Sequence, residues 1–98
     1  MSYAESIAAD ARFYILKELH EQVDGRLNVI LIQRMLEKRY AINRSREWVE
    51  TQLNKLVELE AVEIVPADLV IASIGRAGRD HVERRSVIAG ITRPTEID

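Results

Sequence analysis

Apolar positions near the start of the chain recur every three to four residues: Ile7, Ala11, Tyr14, Ile15 and Leu19. That spacing puts them on one side of a helix. Ser2-Tyr3-Ala4-Glu5 ahead of them fits a capping box, so a helix is predicted over residues 3–22, with Asp24-Gly25 as its stop. Asn28 is placed to cap a second helix from Val29 to Arg39, with Leu27 stapling Ile32 and with Val29, Ile30, Ile32, Met35 and Leu36 on its buried side. Tyr40-Ala41-Ile42 links it to a third helix capped by either Asn43 or Ser45. Trp48, Val49, Leu53, Leu56, Val57 and Leu59 form that helix's apolar stripe, while Arg44, Glu47, Thr51, Lys55 and Glu58 fall toward another side.

The periodicity changes at Val62. Residues 62–65 and 69–74 are rich in β-branched and apolar side chains, and Pro66-Ala67-Asp68 supplies a turn between them, which predicts a hairpin. Gly75 lets the chain turn into a fourth helix from Arg76 to about Val87, and Gly90 and Pro94 end regular structure. Three helices, a β-hairpin and a further helix make an α+β chain in the order of a winged helix-turn-helix. Residues 1–87 form the winged-helix domain and residues 88–98 a short C-terminal tail.

With 98 residues, the chain has enough material for one core. It contains no cysteine, which excludes disulfides, thiolate catalysis and thiolate-held zinc. No apolar run approaches a membrane span and the N-terminus does not read as a signal peptide, so a cytoplasmic protein with no membrane partner is expected. The net charge of -2 argues against strong indiscriminate attraction to nucleic acid. Its distribution is uneven. Residues 1–25 are acidic on balance, residues 26–42 carry Arg26, Arg34, Lys38 and Arg39 against Glu37, and residues 76–93 again lean basic.

No phosphate-binding glycine loop, dinucleotide loop or HExxH motif is present, and Gly75-Arg76-Ala77-Gly78 is too sparse for a cofactor cradle. A non-enzymatic protein without cofactor or metal is therefore expected. Glu18 and Glu21 share helical spacing but lack the His or Cys neighbours of a transition-metal site, and read as a solvated pair. His20 and His81 read as surface or boundary residues. Trp48 reads as a core residue in preference to a base-stacking platform, and Tyr40 as a brace for its turn or a phosphate contact. Tyr3, Phe13 and Tyr14 suit core or self-association contacts.

The segments DARFYILKELHEQVDGRLN (residues 10–28), SREWVETQLNKLVELEAVE (residues 45–63) and GITRP (residues 90–94) carry a resemblance over nearly the whole chain. It resembles the small winged-helix proteins of Mu-like bacteriophages and prophages. More distantly, in element order alone, it is similar to arsenic-repressor-like and multiple-antibiotic-resistance-repressor-like regulators. The wider resemblance implies binding of duplex DNA, commonly as a homodimer, with Arg44, Ser45, Arg46, Glu47, Thr51 and Lys55 on the recognition element and residues 62–74 as the wing. The phage resemblance implies a regulatory role in the cytoplasm of a bacterial host, or an adaptor role toward another phage-encoded protein.

The residues themselves support a DNA reading in part. Arg44 and Arg46 can read a guanine edge or grip phosphate, Ser45 and Thr51 can add shorter bonds, and Lys55 continues the surface. Arg34 and Lys38, four residues apart, and the adjacent Arg39 offer phosphate contacts from the second helix. The alternative is that these are solvated, helix-capping faces. Against a simple phosphate-binding surface stand Glu47, Glu50 and a wing whose only ionised side chains are Glu63 and Asp68.

Overall fold

A computed structural model describes residues 2–97. Helix α1 (Tyr3–Glu21) starts where Ser2 Oγ accepts a hydrogen bond from the Glu5 amide at 3.1 Å. Its buried side includes Ala11, Phe13, Ile15, Leu16 and Leu19. The chain then turns through Gly25, whose φ of 70° suits a residue without a side chain.

Strand β1 (Arg26–Asn28) follows and was not expected from the pattern. Three residues are too few to show alternation, and their partners lie far along the chain. Asn28 ends this strand and also caps helix α2 (Val29–Tyr40), its Oδ1 accepting from the Leu31 amide at 2.9 Å. Helix α2 closes on Ala41, which takes the left-handed conformation at φ 57°. Ser45 caps helix α3 (Arg46–Glu58), accepting from the Trp48 amide at 3.1 Å, which decides between the two expected caps. The buried side of α3 is Val49, Gln52, Leu53 and Leu56; Val57, expected in the apolar stripe, is exposed. Gln52 takes a core position because its Oε1 accepts from Arg12 Nε at 2.9 Å.

Strands β2 (Val62–Val65) and β3 (Ile71–Ile74) form the antiparallel hairpin, with Val62 opposite Ile74 and Val65 opposite Ile71. β3 is central in a three-stranded sheet of order β1-β3-β2, pairing Arg26 with Ser73 and Asn28 with Ile71. Leu69 and Val70, expected in the second strand, belong to the wing turn; the Val70 carbonyl accepts from the Val29 amide at 2.8 Å and ties that turn to α2.

Helix α4 (Arg76–Val82) is shorter than the pattern suggested. Arg84 adopts φ 66°, and His81 turns the chain back. His81 is fully buried, contrary to the surface or boundary position expected for it. Its Nδ1 accepts from the Ile88 amide at 3.0 Å, which leaves Nε2 to donate to the Thr92 carbonyl at 2.9 Å. The following segment folds onto α1. Ile91 is buried, Thr92 Oγ1 donates to Asp10 Oδ1 at 2.6 Å, and Arg12 donates to the Gly90 carbonyl at 2.7 Å. One helical turn, α5 (Pro94–Ile97), ends the described chain, with Pro94 at its first position, where a missing amide proton is tolerated. The fold is a winged helix-turn-helix in which one core joins α1, α2, α3 and the inner face of the sheet.

Candidate nucleic-acid interface

At about 100° per residue, the core face of α3 lies opposite a stripe formed by Glu47, Thr51, Asn54 and Glu58. All four are exposed. Arg46 flanks the stripe on one side and Lys55 on the other. Asn54 is the residue that the sequence reading passed over; its spacing, three beyond Thr51 and seven beyond Glu47, already carried the signal.

Arg44 sits just ahead of this helix and is held from two directions. Its carbonyl accepts from Gln33 Nε2 of α2 at 3.0 Å, which fixes the backbone between the helices. Its Cζ lies 5.6 Å from the centroid of the Trp48 ring, within reach of a cation–π contact. Trp48 is half-buried and packs against the core, as its apolar stripe implied, while its ring also lies within cation–π reach of Arg44. The guanidinium's hydrogen bond to the Asn43 carbonyl is long, at 3.3 Å.

The remaining expected residues have different degrees of freedom. Arg46 Nε lies 3.6 Å from Glu50 Oε2, and Lys55 Nζ lies 3.7 Å from Glu58 Oε2, so both charges are partly answered along the helix. Thr51 Oγ1 donates to the Glu47 carbonyl at 3.0 Å, which occupies its hydroxyl proton, and Ser45 Oγ is engaged as the cap. Arg34 and Lys38 of α2 are exposed and have no ion-pair partner among the described residues.

Arg39 differs. Its Nη1 donates to Glu18 Oε1 at 2.5 Å, so its charge is met within the chain. Glu18 is 4% exposed and is therefore not the solvated partner of Glu21 that the sequence suggested. The Tyr40 hydroxyl donates to Glu18 Oε2 at 3.3 Å while its ring stacks on Tyr14 at 3.7 Å between centroids and 10° between planes. Burial and the negative charge of Glu18 push the Tyr40 phenol up to about 12. Tyr40 thus braces the end of α2. Phe13 lies in the core, whereas Tyr3 is 83% exposed.

The wing carries no cation. Glu63, Pro66, Ala67 and Asp68 are exposed, and Ile64 is 38% exposed. The chain has no cysteine, and among the described residues no group of three His, Asp or Glu side chains is placed to hold a metal ion. No helix among them is long and apolar enough to cross a membrane.

These features define the class: a winged-helix domain, a fold generally associated with DNA binding, whose third helix presents polar side chains between cationic flanks. Comparisons with protein-family models, curated proteins and solved structures give no match to the chain.

Proposed function

We propose that this protein binds duplex DNA in a sequence-dependent manner and acts by occupancy in the regulatory circuit of a Mu-like phage or prophage, in the cytoplasm of its bacterial host. The observation that carries this reading is Arg44 at the entrance to α3, its backbone tied to Gln33 and its guanidinium carbon 5.6 Å from the centroid of the Trp48 ring. An arginine already held in place loses less freedom on meeting a guanine edge or a phosphate. In this reading α3 enters the major groove, Thr51 and Asn54 face the bases, and Ser45 positions the helix. Arg46 and Lys55 flank the groove, and Arg34 and Lys38 contact phosphate from α2. Arg39 contributes less than sequence alone suggested, because Glu18 already holds it. A homodimer would match two half-sites.

The test is selection of duplex fragments from a library at about 150 mM salt with competitor DNA, followed by sequencing. One enriched motif is expected. Replacing Arg44 with alanine should weaken that site by about 1–3 kcal/mol, while Arg46→Ala should cost less, because Glu50 already competes for Arg46. Retention without a motif, lost as salt rises, refutes the reading.

A second reading is an adaptor that engages another phage-encoded protein. The apolar and acidic wing favours it, since Ile64, Pro66 and Ala67 present no phosphate-binding group. A stoichiometric complex with such a partner, together with absence of a DNA motif, would establish it.

A further inference from the structure

The outer stripe of α3 contains an acid where a DNA-facing helix would ordinarily meet repulsion from phosphates. Three acids lie on this helix with carboxylates outside the core, and two of them are answered: Glu50 faces Arg46 at 3.6 Å and Glu58 faces Lys55 at 3.7 Å. Glu47 has no side-chain hydrogen bond or ion pair among the described residues. It is exposed, stands in the first turn, and lies on the line through Thr51 and Asn54 that points directly away from the core. The first turn is where a helix lying in the major groove brings side chains to base edges.

Resting on the DNA-binding reading above, we infer that Glu47 is a specificity-determining residue that selects a cytosine in the bound site. A carboxylate only accepts hydrogen bonds. Cytosine offers the N4 amino group as a donor with no acceptor of the same base beside it in the major groove. Adenine also offers an amino group, but its N7 acceptor lies next to it and repels the second carboxylate oxygen. Guanine and thymine present acceptors. The same charge acts against misplaced binding, because a register that brings Glu47 to the phosphates leaves its carboxylate unpaired beside negative oxygen.

An acid in the first turn also favours the helix dipole, so the test must separate folding from reading. Library selection is run on the intact protein and on Glu47→Gln and Glu47→Ala, each confirmed as folded by circular dichroism and its urea midpoint. In the intact protein one motif position should be cytosine, with a preference of about ten-fold over any other base. Glu47→Gln should change that one position to adenine, because a carboxamide can donate to N7 while accepting from N6. Glu47→Ala should erase the preference there and bind unrelated DNA more tightly, with the other positions unchanged. A motif that stays the same in all three proteins overturns the role of Glu47 and leaves the DNA-binding reading standing. Absence of any motif in the intact protein overturns both.

Discussion

A carboxylate that is only 4% exposed requires an answer within the protein, and Glu18 has two, from Arg39 and Tyr40. The partners are unequal. The Arg39 side chain is 56% exposed and can return to water if Glu18 is lost, whereas Glu18 has no such escape if Arg39 is lost. Arg39→Ala should therefore cost about 3 kcal/mol and Glu18→Gln about 1 kcal/mol in urea unfolding, an order that a surface ion pair would not give. Nothing near Glu18 in the sequence announces this, since its partners lie 21 and 22 residues away. Tyr40 supplies a pH dependence of its own. Its folded value of about 12 lies above the unfolded value near 10. Its contribution is thus complete below about pH 10 and is lost as pH rises toward 12. Urea midpoints measured up this range should fall for the intact protein, and Tyr40→Phe should remove that part of the fall. By contrast, the placement of Thr51 and Lys55 on the outer side of one helix followed from spacing alone.

Among the elements, the helices and hairpin could be read because each has a repeating pattern and a cap or turn. Strand β1 could not: Arg26-Leu27-Asn28 becomes a strand only through its pairing with residues 71–73. The end of α4 was hidden for a similar reason, since His81 draws in Ile88 and Thr92 by hydrogen bonds that no periodicity encodes. Helix α4 also depends on a close approach. A side-chain carbon added at Gly78 would stand 2.4 Å from the Ala61 carbonyl oxygen and 3.1 Å from both Ile74 Cγ1 and Leu16 Cδ2. The first of these is backbone and cannot rotate aside. Although alanine is intrinsically better than glycine in a helix, Gly78→Ala should destabilise the fold by about 2 kcal/mol or more, read as a lower urea midpoint.

For the molecule as a whole, net charge says less than where the charges are already answered. Arg39, Arg85 and Arg93 are engaged with Glu18, with Asp80 and Glu83, and with Glu96, while Arg34, Lys38 and Arg44 have no ion-pair partner among the described residues. With Arg46 and Lys55 partly available, three to five phosphate contacts per protomer are within reach. Each contact steepens the fall of log affinity with log salt by about 0.9. Titrations of the selected duplex between about 50 and 200 mM salt should therefore give a slope of about -2.7 to -4.5 per chain. A slope near zero would leave no room for these cations at the interface. The basic stretch of residues 26–42 was visible in the sequence, but its effective charge was not, because the buried Glu18 that answers Arg39 comes from α1.

The central position of β3 has a consequence for how the chain is made. Synthesis delivers residues 26–28 to the ribosomal exit long before Ile71–Ile74, the strand they pair with among the described residues. The link from Thr92 to Asp10 closes later still. The early helices can form as they emerge, but their common core has no sheet to rest on until β3 has emerged. The sheet therefore closes only once β3 has been made, and the link between α1 and Thr92 only after that.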